Sequence, residues 1–162
     1  MKSQMKHFKT PKQQAQQVKE QQRCLLAIES LIKSETFREL GFEKLNEVDI
    51  DSLTPEQLAY YHYLNGRYYV YLFKQCQDIE HLEWANDFFD DMVSTAYKNK
   101  VRIKDVRFLF SRAYVKFQLA QLVWDEERKP WLLQKAEHIT ETTLKFNPEN
   151  ESFLWLKSQL AA

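Results

Sequence analysis

Two glycines, Gly41 and Gly66, are all that this chain of 162 residues contains, where ordinary usage of about 7% would give roughly eleven. Prolines are few as well: Pro11, Pro55, Pro130 and Pro148. Between Gly66 and Pro130 there is no further glycine or proline. Sheets are joined by tight turns, which need residues that tolerate positive φ or carry a fixed φ. A β-rich fold therefore has nowhere to turn. The same shortage removes glycine-rich phosphate loops, since neither GxGxxG nor GxxxxGK(S/T) occurs, and no GxSxG nucleophile turn is present.

Long apolar runs are missing too. The longest, Tyr68 to Phe73, falls far short of the roughly 20 residues a membrane-spanning helix needs. The first sustained apolar stretch, Cys24 to Ile28, follows a long Gln/Lys segment without a small-residue cleavage site behind it, so no secretory signal is read. The two cysteines, Cys24 and Cys76, have no CxxC spacing and are expected as reduced, buried thiols of a soluble cytoplasmic protein. His7, His62, His81 and His138 show no i,i+4 pairing, and Ala59, Asp78 and Lys135 stand three residues before the last three. That rules out the Glu-x-x-His pairs of a di-iron bundle. Asp49-Ile50-Asp51 opens like a calcium loop, but Thr54 and Tyr60 occupy the positions that need glycine and the closing glutamate. No metal or cofactor is expected. Asp87, Asp90, Asp91 and the pair Glu137/Glu141 read as solvated helix faces, and no convergent set of catalytic groups is visible. The chain is expected not to be an enzyme.

What remains is a folded composition, 44% hydrophobic and 28% charged, in a length that buries about 68–70% of its unfolded surface. Net charge is zero but uneven. Residues 1–34 carry seven Lys/Arg against two Glu, a net of +5, which leaves −5 on the remainder. Residues 1–10 are read as a flexible basic terminus and 11–162 as one all-α domain of about six to seven helices. Helical spacing predicts helices over 11–33, with a polar first half that frays, and over 35–46, burying Phe37, Leu40 and Leu45. Thr54-Pro55-Glu56-Gln57 has the form of a capping box with proline at the first helical position, and opens a helix to about Gln77 that is apolar on nearly all sides. Asp78 caps a helix over 79–98. A further helix covers 103–126 with Trp124 inward, Pro130 opens one to about Phe146, and Asn147-Pro148-Glu149 starts the last, through Leu160.

Two helix pairs resemble each other. At an offset of 45, Tyr63-Leu64 meets Phe108-Leu109, Arg67 meets Arg112 and Tyr69-Val70 meets Tyr114-Val115; in the second helices Leu82 and Ala85 meet Leu133 and Ala136 at an offset of 51. Helix pairs that stack because neither buries both faces alone are the unit of a solenoid. Ala136 and Pro148 stand 12 apart, Ala85 is followed by Phe89, and Asn147-Pro148-Glu149-Asn150 has the form of an inter-repeat turn. With Gly66 as the small residue of the first helix, residues 55–150 resemble the tetratricopeptide repeat family. Gly66 and Ala85 are 19 apart, longer than the family spacing, and Tyr97 stands where a proline is expected.

The resemblance implies N-terminal helices over 11–53, repeat-like hairpins over 54–101 and 102–147, and a capping helix over 148–162, stacked as an α-α superhelix. A non-repeat helical bundle is the alternative. It also implies a concave groove lined by the first helices, in which Arg67, Tyr71, Arg112 and Lys116 grip an acidic or C-terminal peptide of another protein. The expected role is an adaptor, chaperone or assembly factor. Eight tyrosines are more hydroxyl than a dry core accommodates, which places some of them at a groove. Two other readings stay open. Exposed Trp84, Trp131 or Trp155 would favour a homodimer, and Lys6, Lys9, Lys12, Lys19 and Arg23 of the basic arm could contact nucleic acid, the less favoured partner.

Overall fold

The computed structural model describes residues 9–162. Among these, seven α-helices and one 3-10 turn follow in order: α1 Pro11–Lys33, α2 Arg38–Asn46, the 3-10 turn Ile50–Ser52, α3 Pro55–Cys76, α4 Ile79–Lys98, α5 Val106–Leu122, α6 Arg128–Phe146 and α7 Glu151–Ala161. No strand occurs among the described residues. The flexible terminus expected over 1–10 lies mostly outside them, as do Lys6 and His7.

The helix starts follow from side chains that satisfy the free N–H groups of a first turn. Thr54 Oγ1 accepts from the Gln57 N–H at 3.2 Å, and the Thr54 N–H donates back to Gln57 Oε1 at 3.2 Å. Thr10-Pro11-Lys12-Gln13 builds the same reciprocal box, a signal legible in the sequence but passed over. Its consequence is that α1 is capped from its first residue rather than frayed. The polar half is also tied down, with Gln21 Nε2 donating to Ser52 Oγ at 2.6 Å and Gln57 Nε2 to the Val18 carbonyl at 2.8 Å. Asp78 and Asp105 cap α4 and α5 through the N–H groups of Glu80 and Arg107.

Other expectations shift. Helix α5 stops at Leu122, so Trp124 is 96% exposed instead of inward. Pro130 is the third residue of α6, which begins at Arg128. Asn147 closes α6 by donating its N–H to the Thr143 carbonyl at 2.9 Å. The cap of α7 is therefore Asn150, whose Oδ1 accepts from the Phe153 N–H at 3.1 Å. At α2, Leu40 and the preceding Phe37 are exposed while Arg38, Gly41 and Leu45 are buried. The reason is close approach: a Cβ on Gly41 would sit 2.9 Å from the Ile32 nitrogen of α1, and Arg38 Nε reaches the Ile32 carbonyl at 3.0 Å. Cys24 and Cys76 are both exposed, because their positions on α1 and at the end of α3 face away from neighbouring helices.

Each helix packs on the next in sequence, and second-neighbour contacts run α1 to α3, α3 to α5 and α5 to α7. The odd-numbered helices thus form a continuous row. Two adjoining apolar clusters fill the interior, one from Leu25, Ile28, Leu64, Leu82, Phe89 and Leu119, the other from Phe117, Ala136, Phe153 and Leu156 around α5 to α7. Each large apolar side chain buried completely contributes about 1.5–3 kcal/mol. Helices α3 and α4 meet closely because Gly66 has no side chain: a Cβ there would stand 2.5 Å from the Phe89 ring.

Candidate functional site

The row of odd helices walls a groove of about 380 Å³. Lys33 enters from α1, Tyr63, Arg67 and Lys74 from α3, Arg107 and Ser111 from α5, and Asn150 and Ser152 from the start of α7. Four of its lining side chains are cations and none is a carboxylate. Residues 63, 67, 71 and 74 recur at helical spacing, so they share one stripe of α3, which runs from the buried Tyr63 through half-buried Arg67 and Tyr71 to exposed Lys74.

Tyr71 is the centre of the stripe. The guanidinium carbons of Arg38 and Arg67 lie 4.5 and 4.9 Å from its ring centroid and the Lys74 ammonium 5.8 Å. Arg67 Nη2 donates to the Tyr71 hydroxyl at 3.0 Å, which leaves the hydroxyl proton free to donate outward. Among the described residues, Arg38, Arg67 and Lys74 take part in no ion pair. Clustered like charges without counter-ions attract an anion.

The other two groove cations are already partnered. Glu29, buried on α1, receives Lys33 Nζ at 2.9 Å and Arg107 Nη1 at 3.1 Å, and the Tyr60 hydroxyl donates to its other oxygen. Burial pushes the Glu29 carboxyl up, but the bonds from Tyr60 and Lys33 outweigh it and hold the group below the usual carboxylate range. Burial and the same carboxylate raise the Tyr60 phenol. Asp105 bonds Arg107 at 2.7 Å and raises its guanidinium above the ordinary value. This network fixes the mutual position of α1, α3 and α5, and so the width of the groove. Sequence spacing gave no sign of it, because its members lie up to 78 residues apart.

Of the residues predicted to grip a partner, Arg67 lines the groove and Tyr71 stands beside it, bonded to Arg67. Arg112 and Lys116 do not. Arg112 Nε bonds Asp90 Oδ1 at 2.8 Å, and Lys116 is completely buried with its ammonium on Asn86 Oδ1 at 2.8 Å and Asp90 Oδ2 at 3.0 Å. Burial lowers the Lys116 ammonium, and Asp90 acts against that. Asp90, read as solvated, is instead the acceptor that ties α4 to α5. A repeat alignment carries a residue to the same position on its own helix, whereas a groove between two helices is walled by opposite flanks of them. Helix α5 accordingly offers Arg107 and Ser111, and turns 112 and 116 toward α4. Lys33 lies on α1, outside the aligned helix pairs, and Lys74 meets Leu119 at the offset of 45, so the alignment pointed to neither.

Three of the eight tyrosines have anchored hydroxyls. Tyr60 bonds Glu29, Tyr68 bonds Glu39 at 3.0 and 3.1 Å, and Tyr71 accepts from Arg67. On the N-terminal arm Lys9, Lys12, Lys19 and Arg23 are exposed; Lys9 Nζ donates to Gln17 at 2.7 Å, and Lys6 falls outside the described residues. His62 and His81 are set among aromatic rings of α3 and α4, with Nδ1 of each buried and without a hydrogen-bond partner. No helix is long and apolar enough to cross a membrane among the described residues. No family model, curated protein or solved structure matches this chain.

Proposed function

We propose that the chain is a non-catalytic protein-binding module, an adaptor, chaperone or assembly factor, whose odd-numbered helices hold an acidic segment of a partner. The observation that carries this reading is the groove itself: among the described residues, four lining cations, no lining carboxylate, and Arg67 and Lys74 without ion-pair partners. Charge-assisted bonds from guanidinium and ammonium groups to carboxylates are about twice as strong as neutral ones. An acidic peptide lying along α3 would receive them from Arg67, Lys74 and the outward Tyr71 proton. The helix pairs α1/α2, α3/α4 and α5/α6, with α7 closing the last, are read as a divergent tetratricopeptide-like superhelix. Two exposed free cysteines suit a reducing, cytoplasmic setting.

The test is fluorescence anisotropy with a labelled Asp/Glu-rich dodecapeptide. Wild type is expected to bind at low salt, and Arg67→Ala with Lys74→Ala to lose most of that affinity. Equal binding by the variant removes the groove from the account. A homodimer is the second reading, favoured by Trp84, Trp131 and Trp155, each nearly half exposed; a molecular mass that stays at the monomer value of 19.6 kDa across concentrations in sedimentation equilibrium would dismiss it.

A further inference from the structure

A second basic surface lies on the connection from α4 to α5. Lys98, Lys100, Arg102 and Lys104 place four cations in seven residues with no carboxylate among them. All four are exposed, and among the described residues none takes part in an ion pair. In a chain whose residues beyond 34 sum to −5, this is a concentrated local field.

The backbone sets the spacing of these charges. Helix α4 closes with the Val101 N–H donating to the Ala96 carbonyl at 2.8 Å and the Lys100 N–H to the Tyr97 carbonyl at 3.1 Å, with Lys100 at a φ of 55°. This double closure ordinarily takes glycine at the positive-φ position. From Val101 to Asp105 the chain forms no helix or turn. Arg102 and Lys104 face solvent while Val101 and Ile103 are half-buried, the alternation of an extended segment. Alternate side chains in such a segment recur at about 6.6 Å, twice a rise of about 3.3 Å.

Beside this strip, toward α6, lies a cleft of about 380 Å³ walled by Arg102, Lys104, Leu109, Thr142, Phe146 and Asn147. Phe146 at its rim is 78% exposed, and Tyr97 at the start of the strip is 85% exposed. Open aromatic faces next to a row of unpaired cations match a strand of nucleic acid, whose phosphates follow the charges while its bases stack on the rings. A planar bilayer would meet the cations but not the recess. An acidic peptide would satisfy the cations and leave both rings in water.

We propose that the strip Lys98–Lys104, with Tyr97 and the Phe146 cleft, is a binding site for single-stranded nucleic acid, separate from the groove of the odd helices. It is also a different surface from the N-terminal arm. Phosphates are held by the four cations, and Phe146 and Tyr97 each stack on a base.

The experiment is fluorescence anisotropy with a 5′-labelled 12-nucleotide oligo-dT over a salt series. With four phosphate contacts the log–log slope of affinity against salt is about −2.8, from about −0.7 per contact for single strands. Lys100→Gly combined with Arg102→Gln suits the backbone, removes two charges and should bring the slope to about −1.4. Phe146→Ala should weaken binding at least about fivefold, the low end of base stacking, without changing the slope. Arg67→Ala with Lys74→Ala should leave oligonucleotide binding unchanged, so failure here and failure of the peptide groove are read separately. No binding by wild type at low salt, or a slope unaltered in the strip variant, overturns the assignment. So does an unaffected Phe146→Ala variant in a protein that binds a 12-residue polyglutamate as tightly, which would make the surface a general acceptor of acidic chains.

Discussion

A methyl group added at Gly66 would meet the Phe89 ring at 2.5 Å from Cε1 and 2.8 Å from Cδ1 and Cζ. Carbon atoms in contact prefer about 3.5–4.0 Å, so the ring must retreat by about 1 Å. It has nowhere to go: Phe89 is completely buried and lies against Tyr63, ring centroids 6.1 Å apart. In an exposed helix the change Gly66→Ala would stabilise by about 1 kcal/mol through helix propensity. Overpacking a filled core costs about 1–3 kcal/mol, and a clash this short with an immobile ring belongs at about 3. The net is a loss of about 2 kcal/mol, or a Tm lower by about 4–8 °C at this chain length. Thermal unfolding followed by circular dichroism reads it directly. Combining Gly66→Ala with Phe89→Leu should cost less than the sum of the two single changes, because each relieves the other. A Gly66→Ala protein that melts at or above the wild-type temperature would refute the close approach of α3 and α4.

Three further outcomes are expected. Glu29→Gln should lower stability by about 2 kcal/mol, since the buried carboxylate accepts bonds from buried Tyr60 and from the half-exposed Lys33 and Arg107; urea titration at neutral pH measures it. Because the folded carboxyl lies below the ordinary glutamate value, its stabilisation is present above that value and is lost as pH falls through the lower, folded one, so the variant should show a flatter acid limb in stability against pH. Asn150→Ala should cost about 1 kcal/mol as the loss of a helix cap, and Asn147→Ala less; chemical denaturation of both distinguishes the two candidate starts of α7. Cys24 and Cys76 should both react with a thiol reagent in the folded protein, in contrast to the buried thiols that spacing alone suggested; counting modified thiols without denaturant decides it.

The sequence made the helices legible because their signals are local. Thr54-Pro55-Glu56-Gln57, Asp78 and the shortage of glycine act within one turn of the residues they govern, and α3 and α4 fall within a residue or so of expectation. Rotation of a helix about its axis was less legible. Apolar character predicts Phe37 and Leu40 buried, but the approach of Gly41 to α1 decides which face turns inward, and that is a tertiary fact. The site followed the same division. Arg67 and Tyr71 share a stripe of one helix and could be paired by spacing. Arg112 and Lys116 were carried over by alignment, and the structure spends both on Asp90. The Glu29 network and the strip Lys98–Lys104 went unread for different reasons. The first joins residues distant in sequence, and the second is a dense run of charge overlooked because it sits between two confident helices.

The odd-helix groove is the surface proposed to hold a partner protein. The most direct measurement is quantitative capture from native lysate of the source cell, with nuclease present, by wild type, by the Arg67→Ala/Lys74→Ala variant and by the Lys100→Gly/Arg102→Gln variant. The account predicts a stoichiometric protein partner recovered by wild type and by the strip variant, and lost with the groove variant. A partner retained equally by the groove variant would place the binding surface elsewhere on the molecule and contradict it.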